Sequence, residues 1–242
     1  MNKIVLMALA GLLASTAAQS KIVTETISYQ DGDTDLQGHI YYDDTVVGKR
    51  PGVLVVHEWW GLDDYAKRRA SMLAELGYVA FTADMYGVGK VTEHPDQAKQ
   101  WMMVNASNVT AWRARAELAL QQLTEHKLTD IDNTAAIGYC FGGATVIELA
   151  YSGAALKGVA SFHGSLPLPV EGENPELKAQ LLILHGEADP FVEKSHVTKF
   201  REQLNVINAD WEMVSYGGVM HSFTNASAGD HGMPALKYDA RA

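Results

Sequence analysis

Apolar positions along the chain fall into two regimes. Residues 21–30 and 34–43 are β-rich stretches separated by the turn-forming Asp31-Gly32-Asp33, which predicts an antiparallel hairpin at the edge of a sheet. Beyond them, short apolar runs at 53–57, 79–83, 135–139, 158–162, 181–185 and 211–216 are separated by segments of helical period. That alternation predicts βαβ units and a mainly parallel sheet flanked by helices. Three segments carry helical stripes: Tyr65, Met72, Leu73 and Leu76; Trp112, Ala116, Ala119, Leu120 and Leu123; Val197, Phe200, Leu204 and Ile207. They read as core faces. Pro95 suits the first turn of a further helix carrying Trp101 and Met102, and residues 85–93, with Gly87 and Gly89, read as an irregular loop over the carboxyl edge of the sheet. No internal repeat, low-complexity tract or linker interrupts the pattern.

Composition narrows the class. With 242 residues, 47% apolar and 20% charged, the chain is globular rather than disordered. Its 19 Lys and Arg stand against 29 Asp and Glu, a net charge of −10, with no basic run, which argues against nucleic acid as a partner. The alternating pattern fills this length as one α/β domain. The start differs in kind: Met1, Asn2 and Lys3 form a short basic region, residues 4–14 are small or apolar without a break, and residues 15–20 are small and polar. This predicts a cleavable signal peptide over 1–20 and a domain over 21–242, since a membrane anchor needs about 20 apolar residues. The expected location is periplasmic or secreted, without a membrane anchor. Cys140 is the single cysteine, so no internal disulfide can form.

In open α/β sheets ligands bind beyond the carboxyl ends of the strands. The residues there are His57-Glu58, Asp84, Cys140, His163 and His185, with Asp189 and His221 on later loops. Gly138-Tyr139-Cys140-Phe141-Gly142-Gly143 places Cys140 in a strand-to-helix turn with glycine two residues to either side. This is the nucleophile-elbow pattern with cysteine in place of serine. The glycines let the turn close, the side chain stands above the sheet, and the next residue's amide faces the same space. The N-terminus of the following helix also favours a thiolate. A cysteine nucleophile needs a base and the base an orienting acid, in the chain order nucleophile, acid, histidine. Asp189 and His221 supply that order, with Glu187 the weaker candidate for the acid and His163 and His185 read as structural. Trp59 follows the strand 53–57 where such enzymes place a second oxyanion amide, so the Trp59 and Phe141 N–H groups are the expected donors. His57-Glu58 is not a zinc motif, because H-E-x-x-H would need histidine where Gly61 stands. Neither a metal nor a nucleotide cofactor has a motif here, and no cofactor is expected.

Together, Glu58, Asp84-Met85-Tyr86-Gly87, the Cys140 elbow, His185-Gly186-x-x-Asp189 and His221-Ser222-Phe223 resemble the dienelactone hydrolases, a family of α/β-hydrolase fold. The resemblance spans nearly the whole chain after residue 20. It implies a Cys140–His221–Asp189 triad, with Glu58 holding the thiol in a resting state until substrate displaces it. Two departures stand out. Members that hydrolyse dienelactone hold its carboxylate with arginines, one just after the Asp-x-Tyr segment and one shortly after the histidine. Here those stretches read Gly87-Val88-Gly89-Lys90 and Thr224-Asn225-Ala226-Ser227. The fold also usually closes with a helix after the histidine, whereas Gly229, Gly232 and Pro234 interrupt residues 223–242. One flank of the sheet is then left thinly covered or covered by a partner, a homo-oligomer included.

The resulting expectation is a hydrolase of small esters or lactones working through a Cys140 thioester, its pocket lined by Trp60, Tyr86, Lys90 and Phe223. Two rival readings are a redox or thiol-binding protein in which Cys140 cycles through sulfenic acid, and a binding domain on a decayed hydrolase fold. The intact acid and histidine argue against both, since neither role needs a three-residue relay.

Overall fold

A computed structural model describes residues 21–242; the signal-peptide expectation for 1–20 lies outside the described residues. The first two strands, β1 (Ile22–Asp31) and β2 (Thr34–Asp43), form the expected hairpin, paired from Ile22↔Asp43 to Asp31↔Thr34. The turn closes at Gly32, whose φ of 56° lies in the left-handed region that glycine tolerates. The alternating part follows as β3 (Arg50–Val56), α1 (Asp64–Glu75), β4 (Val79–Ala83), α2 (Pro95–Ala106), α3 (Val109–Glu125), β5 (Thr129–Tyr139), α4 (Phe141–Tyr151), β6 (Gly158–Phe162), β7 (Gln180–Gly186), α5 (Lys194–Val206) and β8 (Trp211–Tyr216). They build one eight-stranded sheet in the order β1-β2-β4-β3-β5-β6-β7-β8. It is parallel from β4 to β8 across the sheet, with β1 and β2 antiparallel at one edge.

The strands end close to where the apolar runs end. β5 starts six residues before its run, at Thr129, because Arg50 and Pro51 of β3 pair with Thr129 and Asp130. Its extra residues Asp132 and Asn133 are exposed, so burial does not select apolar side chains there. Helix α3 buries the stripe expected of it, and α5 buries Val197, Phe200 and Leu204, while Ile207 falls just past its end and is half-buried. In α1 the face differs from expectation. Tyr65, Ala66, Ala70 and Ala74 are buried, whereas Met72 is 44% and Leu76 75% exposed. Alanines at four-residue spacing let the helix axis approach the sheet closely, and a reading weighted by large apolar residues turns the face towards solvent.

The two sides of the sheet are unequally covered. Residues of α3, α4 and α5 pack into the main core on one side, against Leu54, Val56, Ala136, Val159, Leu181 and Ile183. On the other side α1 packs over β2, β3 and β4 through Tyr41, Val55, Tyr65 and Ala80. Beyond it, Ala135, Ile137, Ala160 and Leu182 line an open groove of about 660 Å³. This is the thinly covered flank expected from the interrupted C-terminus. That terminus forms a short 3₁₀ turn, Ala228–His231, and then returns over the His221 loop. Lys237 N–H donates to His221 O and Asp239 N–H to Phe223 O. Among the described residues no helix is long and apolar enough to cross a membrane.

Candidate active site

The turn at Cys140 is decided by crowding. Strand β5 ends at Tyr139 and α4 begins at Phe141, so one residue reverses the chain, and Cys140 does so at φ 53°, ψ −114°. Such a conformation is costly for a residue with a Cβ and persists where the surroundings enforce it. The surroundings explain both glycines. A Cβ on Gly138 would stand 2.0 Å from Gly142 O, and one on Gly142 would stand 2.2 Å from Val56 O. The Cys140 N–H is committed to Phe162 O at 3.0 Å and His163 Nδ1 at 3.1 Å. Phe141, the first residue of α4, instead lies in the turn whose N–H groups lack intrahelical acceptors. Its amide therefore remains the donor on this side.

His221 and Asp189 lie on the loops after β8 and β7, where the sheet brings them to the same end as Cys140. Asp189 Oδ2 sits 2.6 Å from His221 Nδ1, and its Oδ1 accepts from Phe191 N–H at 2.9 Å. Cys140 lines the same cavity as His221, and its side chain acts on the imidazole. Burial acts to lower the proton affinity of this ring, but Cys140 and Asp189 together outweigh it and push its pKa up to about 10. The sheet thus brings the three residues together at one end. Glu187, the weaker candidate, is exposed. His163 is fully buried, accepts the Cys140 N–H at Nδ1 and donates from Nε2 to Thr224 Oγ1 at 2.8 Å. Burial and then the charge of His221 hold its pKa well below the usual histidine range, so it is a neutral structural brace.

Glu58 departs from the contact implied by the resemblance. It is buried, and its carboxylate oxygens accept from Ser222 Oγ at 2.6 Å and Asn225 Nδ2 at 3.0 Å. Both donors come from the His221 loop, and they satisfy an ion that would otherwise be stranded. Burial raises its pKa, opposed by those two hydrogen bonds and by His221.

Of the expected pocket residues, none lines the cavity beside Cys140. Trp60 is buried and stacks on His231, with ring centroids 4.0 Å apart. Phe223 is buried edge-on to His163 at 5.1 Å. Tyr86 is buried among His57, Phe141 and Trp101, and burial followed by the charge of Cys140 keeps its phenol protonated. Lys90 is exposed and borders a separate groove with His39 and Asp84. Trp60, Tyr86 and Phe223 form the wall behind the site. The cavity itself, about 300 Å³, is lined by Cys140 and His221 with Trp59, Met102, Trp112, Phe191 and Leu236 among its apolar residues. Trp59 and Phe141, the expected oxyanion donors, both border it. Trp112 and Met102 were visible as helix-stripe residues, but Phe191 and Leu236 carry no sequence signal and arrive by loop closure. Among the described residues no group of His, Cys, Asp or Glu is arranged to hold a metal ion.

Comparison with known proteins gives this arrangement a family. The model of the dienelactone hydrolase family matches residues 36–242. The chain belongs to the dienelactone hydrolase family. Its fold is that of the α/β-hydrolases, and the family places it among ester- and lactone-cleaving hydrolases. The crystal structure of a dienelactone hydrolase-like promiscuous phosphotriesterase from metagenomic libraries is 37% identical with a TM-score of 0.87, covering 91% of this chain and 92% of that one. A Klebsiella pneumoniae dienelactone hydrolase-type structure at 21% identity has a TM-score of 0.74 and covers 91% of this chain and 93% of that one, which supports the fold. An Aquifex aeolicus relative, named "Putative carboxymethylenebutenolidase", is 25% identical over 184 residues, 74% of this chain and 79% of its own. The dienelactone hydrolase assignment covers the hairpin's second strand, the elbow and the loops of both Asp189 and His221.

Proposed function

We propose that this chain hydrolyses small neutral carboxylic esters or lactones through a thioester on Cys140. The observation that carries the reading is the 2.6 Å Asp189–His221 pair, whose imidazole lines one cavity with the side chain of a cysteine in a positive-φ elbow. Cys140 Sγ, having passed its proton to His221, attacks the substrate carbonyl carbon. The resulting oxyanion faces the Phe141 and Trp59 amides. Collapse breaks the ester C–O bond, and the leaving alkoxide takes the proton from His221. Water then gives a proton to His221 and attacks the thioester, and the departing Cys140 thiolate is restored as the acid product forms. Asp189 holds the imidazole with Nδ1–H directed to itself, and buried Glu58 adds negative charge that favours the His221 cation. Among the described residues nothing cationic except His221 borders the cavity, so a carboxylate-bearing lactone would be desolvated without a partner, at a cost of several kcal/mol. Neutral substrates are preferred, and Lys90, exposed on a separate groove, should leave that preference unchanged.

The test is turnover of p-nitrophenyl esters by wild type, Cys140→Ala and His221→Ala, with mass spectrometry of enzyme quenched during a slow ester. An acyl adduct on the Cys140 peptide and loss of turnover in both variants are expected. Substantial esterase activity in Cys140→Ala removes the nucleophile, and peroxide oxidation of Cys140 with no acyl adduct from any ester favours the redox reading. The basic, apolar, then small-polar order of residues 1–20 supports export of the chain to a periplasmic or extracellular space, which N-terminal sequencing of protein from that fraction tests.

A further inference from the structure

His57 follows β3, one residue before Glu58, is fully buried, and takes no part in the relay described above. Its ring is held at both nitrogens. Met85 N–H donates to Nε2 at 3.2 Å, so in the neutral ring that nitrogen is the bare one and the proton lies on Nδ1. Nδ1 faces the carbonyl oxygen of Glu58, to which it donates. The rings of Tyr86 at 4.9 Å and Phe141 at 6.0 Å pack against the imidazole and set its plane. Burial lowers the pKa of His57, opposed by its bond to Glu58 O and by Asp84 and Asp63, which keeps the ring neutral.

The Glu58 carbonyl and the Trp59 N–H belong to one peptide group. The described chain has no cis peptide, so the two point in opposite directions from the same plane. Gly61 N–H approaches the same oxygen at 3.4 Å. An oxygen held by the His57 ring and approached by Gly61 cannot rotate freely, and neither can the N–H across the plane. Donation to the carbonyl also polarises the amide and strengthens its N–H as a donor. Trp59 borders the Cys140 cavity.

We infer that His57 is a positioning residue for oxyanion stabilisation: locked as its Nδ1–H tautomer by Met85, it pins and polarises the Glu58–Trp59 peptide that supplies the second oxyanion amide. The inference rests on the acyl-transfer reading of Cys140. It assigns His57 no contact with substrate. Its effect belongs to steps that develop charge on a carbonyl oxygen and is absent from steps that do not.

That difference supplies the test. Alkylation of Cys140 by iodoacetamide attacks a saturated carbon and needs no oxyanion donor, whereas turnover of p-nitrophenyl acetate and binding of a neutral aldehyde as a hemithioacetal do. In His57→Leu, kcat should fall roughly 10- to 100-fold, somewhat less than the 10²–10³ typical of deleting a donor outright. KM and the alkylation rate should stay within about threefold, since neither uses the donor. Aldehyde affinity should fall with kcat. Where His57→Leu does not fold, two amide variants carry the comparison. His57→Asn places an N–H near the Nδ1 position and should exceed His57→Gln, which reaches only towards Nε2, by about tenfold in kcat on the same scale. Equal kcat in Asn and Gln, an unchanged kcat in Leu, or alkylation falling in step with kcat each overturns the inference. Cys140→Ala in the same series separates the two claims. If it is inactive and His57→Leu is not impaired, only the His57 role fails. If it keeps its activity, the nucleophile fails and the His57 role with it.

Discussion

Replacing Asp189 with asparagine tests the relay with almost no change of shape. The carboxylate has two commitments: Oδ1 accepts Phe191 N–H at 2.9 Å, and Oδ2 faces His221 Nδ1 at 2.6 Å. In Asp189→Asn a single oxygen remains. Phe191 N–H can bond only to that oxygen, so the new NH₂ group is turned towards His221. The imidazole must then present a bare Nδ1 and carry its proton on Nε2, the tautomer unable to accept a proton from the thiol. The negative charge that stabilised the cation is lost as well. By analogy with the serine-protease acid, where the same change costs about 10⁴ in kcat, a loss of about 10³–10⁴ is expected. That corresponds to roughly 4–5 kcal/mol of transition-state stabilisation. Stability should move by only about 1 kcal/mol, because every buried donor keeps an acceptor. The assay is kcat for p-nitrophenyl acetate alongside urea unfolding, with Glu187→Gln as an unaffected control. A kcat within tenfold of wild type in Asp189→Asn would show that Asp189 does not set the tautomer and would refute the reasoning. A loss of stability that parallels the loss of rate would refute it too.

Two further outcomes follow from the buried charges. His221 has its pKa raised from 6.5 to about 10, so the folded state binds this proton more tightly than the unfolded chain. The associated stability is complete below about pH 6.5 and is lost as pH rises through about 10. Thermal unfolding from pH 6 to 10.5 should show that decline in wild type and a smaller one in Cys140→Ala, where the side-chain interaction that raises the histidine is gone; equal declines would contradict it. Glu58 has the same sign in a lower pH window, because its folded pKa is also raised, here by burial. Its contribution to stability is greatest below about pH 4.5 and diminishes as pH climbs through the raised value. Glu58→Gln, able to accept from Asn225 and donate to Ser222, should fold, and it should become more stable relative to wild type as pH rises from 4 to 7 in urea titrations. A stability difference independent of pH would show that the Glu58 carboxylate is not held under strain by burial.

Much of this protein was legible without coordinates because its signals are local. The two-residue turn after Asp31 needs only its own chemistry to make a hairpin, and the runs at 79–83, 158–162 and 211–216 became strands with those same bounds. The elbow was legible for the same reason. Gly138 and Gly142 flank Cys140 because each other and Val56 leave no room for a side chain, and such crowding writes itself into the sequence as glycine. Where polarity and burial part company, pattern fails: Asp132 and Asn133 extend β5 because Arg50 and Pro51 pair beside them, and Ala66, Ala70 and Ala74 rather than Met72 and Leu76 face the sheet. The site divides along the same line. Residue types and chain order marked Cys140, Asp189 and His221, and the family resemblance marked Glu58, but which partner each meets depends on loops that close across the sheet. Glu58 meets Ser222 and Asn225, 164 and 167 residues away, and Leu236 reaches the cavity because the chain after His221 turns back over it. Trp60, Tyr86 and Phe223 carry the residue types of a pocket and lie behind it instead, since side-chain chemistry alone does not say which side of a wall a ring occupies. The direction of a hydrogen bond is likewise tertiary. His57 next to Glu58 has no motif, and only the approach of Met85 N–H from another strand's end settles which nitrogen holds its proton.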